Sequence, residues 1–263
     1  PTRRNINKRY DMKTLIQTAI AFGAVLMTLT ATHAENLFWA NTGTDFNAAG
    51  SFTNATGANQ APTSSDYVYF PAVAVTQPTL TADLTLQGFA FRRNPTAEVN
   101  VAEPPDCCGF VLSAANGAKL TLTYSGNNYP IVCRTLGTNV VAAPIVFHNA
   151  NNVDRRIGAN YGRLEFNAPI STLGTNNTLY LTGNNDTVFV FNADNSSFSG
   201  KASFNQCLHA YIRHPQAFLG MKALSFSSWG AMGSKAIHLY NETGAPLNFT
   251  APEVTTASLD GLS

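Results

Sequence analysis

The feature that most constrains the fold is a short motif that recurs along the chain. Ala-Pro-Ile occupies 143–145 and again 168–170, and Ala-Pro-Leu follows at 245–247, close to three further intervals of the same length. A fixed period of about 20 to 50 residues is the mark of a repeat architecture. One coil of a parallel β-helix cannot bury its apolar face alone, so stacked coils share a core and equivalent residues lie above one another. The spacing therefore predicts a solenoid with roughly 25 residues per coil.

Alternation of apolar and polar residues fills the intervals between these motifs. A period of two is the signal of a half-buried strand. It occurs at Leu84–Leu86, Leu120–Tyr124, Ile145–Phe147, Leu164–Phe166, Leu179–Leu181, Val188–Phe191, Leu224–Phe226, Ile237–Leu239 and Leu247–Phe249. Clusters of Gly and Asn, which tolerate the positive φ of turns, separate the runs. We predict an all-β fold, a parallel β-helix or β-solenoid with an irregular N-terminal β cap. An antiparallel, lectin-like sandwich is the alternative.

The composition favours an exported β-rich protein over a cytoplasmic enzyme. Only 12% of the residues are charged, against about 25% in a typical soluble domain. Small polar residues suit turns and exposed strand faces. From Glu35 onward the chain carries 11 basic and 14 acidic residues, and no basic patch interleaved with aromatics occurs. We therefore expect no nucleic-acid partner.

Residues 1–34 have the features of an upstream basic segment followed by a secretory signal peptide. Met12 and Lys13 precede an apolar run over 15–29, and Thr32-His33-Ala34 places small residues where signal peptidases need them. We expect cleavage between Ala34 and Glu35. The alternative is a membrane anchor, but the run is shorter than the roughly 20 residues of a spanning helix. We expect no transmembrane segment in the mature chain.

The four cysteines lie at Cys107, Cys108, Cys133 and Cys207. None forms a Cys-x-x-Cys pair, so zinc binding and thioredoxin-type chemistry are poorly supported. Export permits disulfides. Cys108 and Cys133 are separated by the same interval as the first two Ala-Pro-Ile motifs, which would place them at matching positions on adjacent coils. A disulfide between these two cysteines is therefore left open, beside the simpler reading of each as a small buried apolar residue.

The segment 192–220 resembles the autotransporter-associated β-strand repeat. That repeat has an Asn, an aromatic residue, Ser or Thr and Gly, then a strand and a closing Ala-Leu-Gly. The residues here that match its structural pattern are Asn195, Phe198, Ser199, Gly200, Leu219 and Gly220. Lys201 stands where the repeat has a second Gly. A second stretch is similar to the first module of such exported proteins, through Trp39, Asp45, Phe52, Pro62, Thr63, Asp66 and Phe70.

This resemblance implies a β-helical passenger that is secreted or lies on the outer membrane or cell surface of a diderm bacterium. We expect residues 35–105 to form the N-terminal cap module and residues 106–263 the β-helix repeats. We also expect the repeat region to be truncated at its C-terminus, because neither a barrel nor a sorting anchor follows.

The candidates for catalysis are few. Pectin-lyase-like enzymes share the β-helix, so the fold alone does not decide the question. The best constellation is Asp154-Arg155-Arg156, near His148, with Arg163 and Glu165 further along the chain, and we interpret it as a solvated loop with surface ion pairs. The histidines lack ligand spacing, and Gly183–Asp186 resembles a plain turn more than a calcium site. We predict no catalytic residue, no metal site and no cofactor.

Two functions remain. The first is an exported, non-catalytic scaffold for surface structure or adhesion, with glycans or cell-surface components as partners. The second is a carbohydrate-active enzyme, a polysaccharide lyase or glycosidase, near Asp154, Arg155 and Arg163. Acidic and basic side chains clustered in a groove would favour the enzyme, whereas flat and evenly polar faces would favour the scaffold.

Overall fold

A computed structural model describes residues 34–92, 108–124, 129–148, 155–172, 178–198, 201–205, 209–214, 223–227, 236–239 and 253–256. These ranges contain eighteen strands and, as their one helical segment, a 3-10 turn at Ala49–Ser51. The strands are β1 (Asn36–Trp39), β2 (Phe52–Thr53), β3 (Tyr67–Phe70), β4 (Thr79–Leu80), β5 (Leu84–Leu86), β6 (Gly88–Phe91), β7 (Val111–Ala114), β8 (Leu120–Leu122), β9 (Ile131–Val141), β10 (Ile145–Phe147), β11 (Arg155–Phe166), β12 (Ile170–Thr172), β13 (Thr178–Phe191), β14 (Lys201–Asn205), β15 (His209–Ile212), β16 (Ala223–Ser227), β17 (Ala236–Leu239) and β18 (Glu253–Thr256).

The strands stack in parallel on three faces of a β-solenoid. The first face comprises β1, β3, β6, β14, β16, β18 and the N-terminal parts of β9, β11 and β13. The second face comprises β4, β7, β15, β17 and the C-terminal parts of the same three long strands. The third face is a four-stranded sheet in the order β12-β10-β8-β5. The predicted fold class is thereby confirmed, and the antiparallel sandwich is wrong.

The register of the third face explains the repeated motif. Ile145 pairs with Ile170, the equivalent residue of the next motif, and on its other side with Leu120. Each Pro before the Ile presents its carbonyl oxygen to the preceding coil: Leu120 N donates to Pro144 O, and Ile145 N donates to Pro169 O, both at 2.9 Å. The Ala-Pro-Ile repeat therefore marks equivalent positions on successive coils. The third copy of the motif, at 245–247, lies outside the described residues.

Apolar side chains at matching register positions build the core. On the first face one buried column consists of Leu37, Val68, Phe89, Ile131, Ile157 and Leu181. On the second face the rings of Phe166 and Phe191 stack with centroids 5.2 Å apart. Such ladders arise because inward-facing residues of neighbouring parallel strands lie about 4.8 Å apart. Where the structure describes their side chains, the apolar residues of the runs found in the sequence form the inward rows of these faces.

The described part of the predicted cap module, residues 35–92, combines a cap with the start of the solenoid. β1 pairs antiparallel with β2, yet it also pairs in parallel with β3, which pairs with β6. The rings of Trp39 and Phe52 meet edge to face at 5.3 Å and close the end of the core. Pairing on the first face thus already begins at β1.

The long strands pass from the first face to the second without a loop. In β11 and β13 the register shifts between Ala159 and Tyr161, so that Ala159 pairs with Gly183 and Tyr161 with Asp186. A bulge of this kind bends a strand while its neighbours stay paired. The interpretation of Gly183–Asp186 as a turn is therefore wrong, because this segment lies within β13 and contains the bulge.

Candidate functional site

The outward side of the first face carries a group of tyrosines near the N-terminal end of the solenoid. On β3, Val68 and Phe70 point into the core, so Tyr67 and Tyr69 point outward. The ring of Tyr69 stacks on Phe38 of β1, with centroids 5.7 Å apart. The ring of Tyr67 lies 5.1 Å from that of Tyr69 and 5.7 Å from that of Tyr124. Four aromatic rings from three chain segments therefore share one outer surface.

Two glycines on the first face, Gly88 of β6 and Gly158 of β11, lie two coils apart and make room for these rings. A Cβ built on Gly88 would lie 2.7 Å from Cε2 of Tyr67, and one built on Gly158 would lie 2.7 Å from Cδ1 of Tyr129. Real Cβ atoms essentially never approach so closely. Because these two glycines lack side chains, the rings of Tyr67 and Tyr129 can pack directly against the backbone. The next outward residue after Gly88 is Ala90, whose side chain is also small.

Tyr67 is fixed by hydrogen bonds to the backbone. Its hydroxyl donates to the carbonyl oxygens of Tyr129, at 2.9 Å, and Phe89, at 3.1 Å. Burial raises the pKa of Tyr67 well above its ordinary value of 10.0, and the nearby phenols of Tyr69 and Tyr124 raise it further. Tyr67 is therefore a protonated, rigid part of the wall at neutral pH.

Two arginines add positive charge to the same surface. Arg92, at the end of β6, and Arg134, in β9, are only 7% and 6% exposed. Both arginines line the same pocket as Tyr69. Burial raises the pKa of Tyr69, and the charges of Arg92 and Arg134 oppose that rise. Among the other lining residues, Glu35 contributes the acidic group, and its Oε2 is buried without a hydrogen-bond partner in the part of the chain that the structure describes.

These groups enclose a pocket of about 210 Å³, here called the tyrosine pocket. It is lined by Ala34, Glu35, Asn36, Tyr67, Tyr69, Gln87, Arg92, Tyr124, Tyr129, Val132 and Arg134. Small-molecule sites usually measure about 300 to 1,000 Å³, so the pocket suits one unit of a longer ligand. Tyrosine and arginine are the residues that most often anchor ligands and partners, because both combine a flat packing surface with polar groups.

Where the structure describes it, the predicted alternative site is divided between two faces of the solenoid. Arg155 opens β11 on the first face, is 4% exposed, and donates through its guanidinium to the carbonyl oxygen of His148. Arg163 lies on the second face, where it pairs with Thr138 in register and forms an ion pair with Glu165. The interpretation as a solvated loop is wrong for these arginines, because both belong to a strand. Asp154 lies outside the described residues.

The cysteines do not occupy the positions that the sequence suggests. Cys133 pairs in register with Phe91 on one coil and Ala159 on the next, whereas Cys108 lies beside Gly137. The reason is that the paired residues Phe91 and Cys133 are farther apart in the sequence than the paired residues Cys133 and Ala159, so the coil before β9 is longer than the one that follows. The structure holds no disulfide between Cys108 and Cys133. Burial raises the pKa of the Cys133 thiol, which keeps it neutral.

The repeat-like segment has a structural role where the structure describes it. Asn195 is buried, and its Oδ1 accepts a hydrogen bond of 2.6 Å from Ile170 N. This side chain takes the position that the Pro144 and Pro169 carbonyl oxygens hold on the previous coils. Phe198 is also buried, and its N–H donates to Asn195 O. Ser199, Gly200, Leu219 and Gly220 lie outside the described residues.

Other features bear on the remaining predictions. Among the described residues, no group of three or more His, Cys, Asp or Glu is placed to hold a metal ion. Within the same ranges, no helix has the length and hydropathy that crossing a membrane requires.

Comparison with known proteins gives no relative: no family model, no curated protein and no solved structure matches the chain. The resemblance to the autotransporter-associated repeat therefore stays a prediction. The argument for function rests on the tyrosine pocket.

Proposed function

We propose that this protein is an exported, non-catalytic β-solenoid scaffold of the bacterial surface, and that its tyrosine pocket binds saccharides. The observation that supports this most is the clustering of Tyr67, Tyr69, Tyr124 and Tyr129 on one outer surface. The C–H groups of a sugar ring carry partial positive charge, and the face of an aromatic ring is negative. Rigid tyrosines bind with little loss of side-chain entropy.

A binding role fits the pocket better than catalysis does. Burial moves the pKa values of Tyr67 and Tyr69 upward, away from the neutral range in which a general base works best. A glycosidase uses two positioned carboxylates, and among the lining residues that the structure describes Glu35 is the single carboxylate. Two arginines and a glutamate do gather in this pocket, however, and such a cluster was the feature expected of an enzyme. The test therefore measures turnover as well as binding.

Export is supported by the surroundings of Glu35, the residue expected to begin the mature protein. Its backbone nitrogen donates to Asp66 Oδ1 at 3.1 Å, and Asp66 is fully buried. The other carboxylate oxygen accepts from the backbone nitrogen and the hydroxyl of Thr63, both at 2.8 Å. If cleavage follows Ala34, the new ammonium group of Glu35 forms a charge-assisted hydrogen bond to this carboxylate. The fold thus offers a ready partner for the predicted new terminus.

Binding is tested by a glycan array with the full chain, together with a reducing-end assay on polysaccharides. We expect binding without new reducing ends. Tyr69→Ala should abolish binding, whereas Tyr211→Ala on the second face, where Arg213 lies over the ring, should not. Absence of binding to every glycan would refute the saccharide site. New reducing ends that vanish with Tyr69→Ala would replace the scaffold with an enzyme.

Export is tested separately by expressing the chain in a diderm host and sequencing the N-terminus of the exported protein. We expect the sequence to begin at Glu35. A protein that stays in the cytoplasm, or one cleaved beyond Glu35, would contradict this part of the proposal.

A further inference from the structure

We infer that the tyrosine pocket selects acidic saccharides and that the ligand extends from it across the coils to Arg156 and Tyr180. This inference rests on the proposed saccharide binding and names the class of saccharide. All saccharides of this class carry an anionic group on the sugar, either a carboxylate or a sulfate.

The charge of the pocket points to an anion. Arg92 and Arg134 bring two positive charges, and Glu35 brings one negative charge. The described lining of the pocket is therefore net positive, although the chain from Glu35 onward has three more acidic than basic residues. A positive site on an otherwise acidic chain concentrates anions locally.

Guanidinium groups suit this task. Arginine keeps its charge at every physiological pH, and its planar fork matches the two oxygens of a carboxylate. Arg92 and Arg134 are nearly buried, so water screens their charges less than at an exposed surface. An acidic group on a sugar packed against Tyr69 would lie close to both arginines, because all three residues line the same pocket.

A second basic group continues the same outward row. Arg156 pairs in register with Tyr180, and its guanidinium lies over the Tyr180 ring at 5.6 Å from the centroid. The neighbouring residue Ile157 pairs with Ile131, and Ile131 pairs with Phe89. Arg156 therefore follows Gly88 in the row, two coils further along.

Successive coils are about 4.8 Å apart, so Arg156 lies roughly 10 Å beyond Gly88 along the solenoid axis. The Nε of Arg156 is buried and meets no hydrogen-bond acceptor among the described residues. A saccharide chain that leaves the pocket along this axis would bring a later acidic unit to the Arg156 guanidinium, because this residue is only partly buried. The small pocket thus becomes the first of two subsites for one linear acidic ligand.

The test is calorimetric titration of the full chain with matched saccharides. One pair is a hexuronic-acid oligosaccharide and its methyl ester, which has the same backbone without the charge. The other is a sulfated oligosaccharide and its desulfated form. We expect the charged oligosaccharide to bind at least 10-fold more tightly than its uncharged partner in at least one of the two pairs. The pair that shows this preference identifies the anionic group, carboxylate or sulfate, that the pocket recognises. We also expect its affinity to fall with added salt.

Two variants locate the contact. Arg156→Gln should weaken binding of the acidic oligosaccharide several-fold and leave that of a neutral disaccharide unchanged, because a disaccharide does not reach beyond the pocket. The matched control is Arg163→Gln on the second face, which should bind as the original protein does, with circular dichroism confirming that both fold.

The outcomes separate the two proposals. Equal affinity for charged and neutral members of both pairs would overturn this inference and leave saccharide binding intact. Acid-selective binding that is unaffected by Arg156→Gln would overturn the second subsite. Absence of binding by all four saccharides and by the glycan array would overturn the proposed function itself.

Discussion

Replacing Gly88 with alanine is expected to destabilise the solenoid and to disturb the tyrosine pocket together. The added Cβ would lie 2.4 Å from Pro130 O, 2.8 Å from Pro130 Cα and 2.7 Å from Cε2 of Tyr67. Pro130 O cannot move away freely, because it accepts a 2.8 Å hydrogen bond from Phe89 N. β6 and β9 must therefore shift apart, or the Tyr67 ring must leave its place.

The expected loss of stability follows from these contacts. Overpacking of a tightly packed site typically costs about 1–3 kcal/mol, and for a domain of this size each 1 kcal/mol lowers Tm by roughly 2–4 °C. We thus expect Tm to fall by about 2–12 °C, measured by circular dichroism, together with weaker saccharide binding. The control is Gly50→Ala, whose Cβ would have no neighbour within 4 Å. The reasoning is refuted if Gly88→Ala unfolds at the temperature of the original protein, or if Gly50→Ala is equally destabilised.

Three further changes test other parts of the structure. Phe166→Ala removes the ring that stacks on Phe191 and should lower the free energy of unfolding in urea by about 3–5 kcal/mol; a loss below about 1 kcal/mol would contradict the core register. Asp66→Asn replaces one of the two carboxylate oxygens with an amide nitrogen, so either Glu35 N, which donates to Oδ1, or Thr63, which donates to Oδ2, loses its acceptor. The change should cost about 1–3 kcal/mol, with unchanged urea midpoints as the opposing result. Burial raises the pKa of Tyr67 in the folded protein above 10.0. The protonated phenol therefore makes its full contribution to the stability of the fold below pH 10.0, and this contribution is lost as the pH rises through the higher pKa of the folded state. Unfolding midpoints should therefore fall as the pH rises above about 10, and less steeply in Tyr67→Phe; an equal fall in both would disprove this cause.

The fold could be predicted because its signals repeat along the sequence. The number of residues between Ile145 and Ile170 equals the length of one coil, because the two residues are paired on adjacent strands. The alternating runs indicated which residues point inward. The bulge at Gly183–Asp186 could not be predicted, because Gly and Asn suit a turn and a bend within a strand equally well.

The tyrosine pocket was missed for a different reason. The outward positions of Tyr67 and Tyr69 follow from the alternation on β3, but Tyr124, Tyr129 and Arg134 join them from distant positions in the sequence. Their approach depends on the register between coils, and the chain from Phe91 to β7 interrupts the regular period before β9. Glycine between apolar residues, at Gly88, was the one local signal of a close approach.

The measurement that tests the central claim most directly is a nuclear magnetic resonance titration of the full chain, selectively labelled at its nine tyrosine rings. A hexuronic-acid oligosaccharide is added, and the ring signals are assigned by single Tyr→Phe variants. We predict that the signals of Tyr67, Tyr69, Tyr124 and Tyr129 shift and saturate together while that of Tyr211 on the second face stays in place. Shifts that spare these four rings, or that affect Tyr211 alone, would contradict the account.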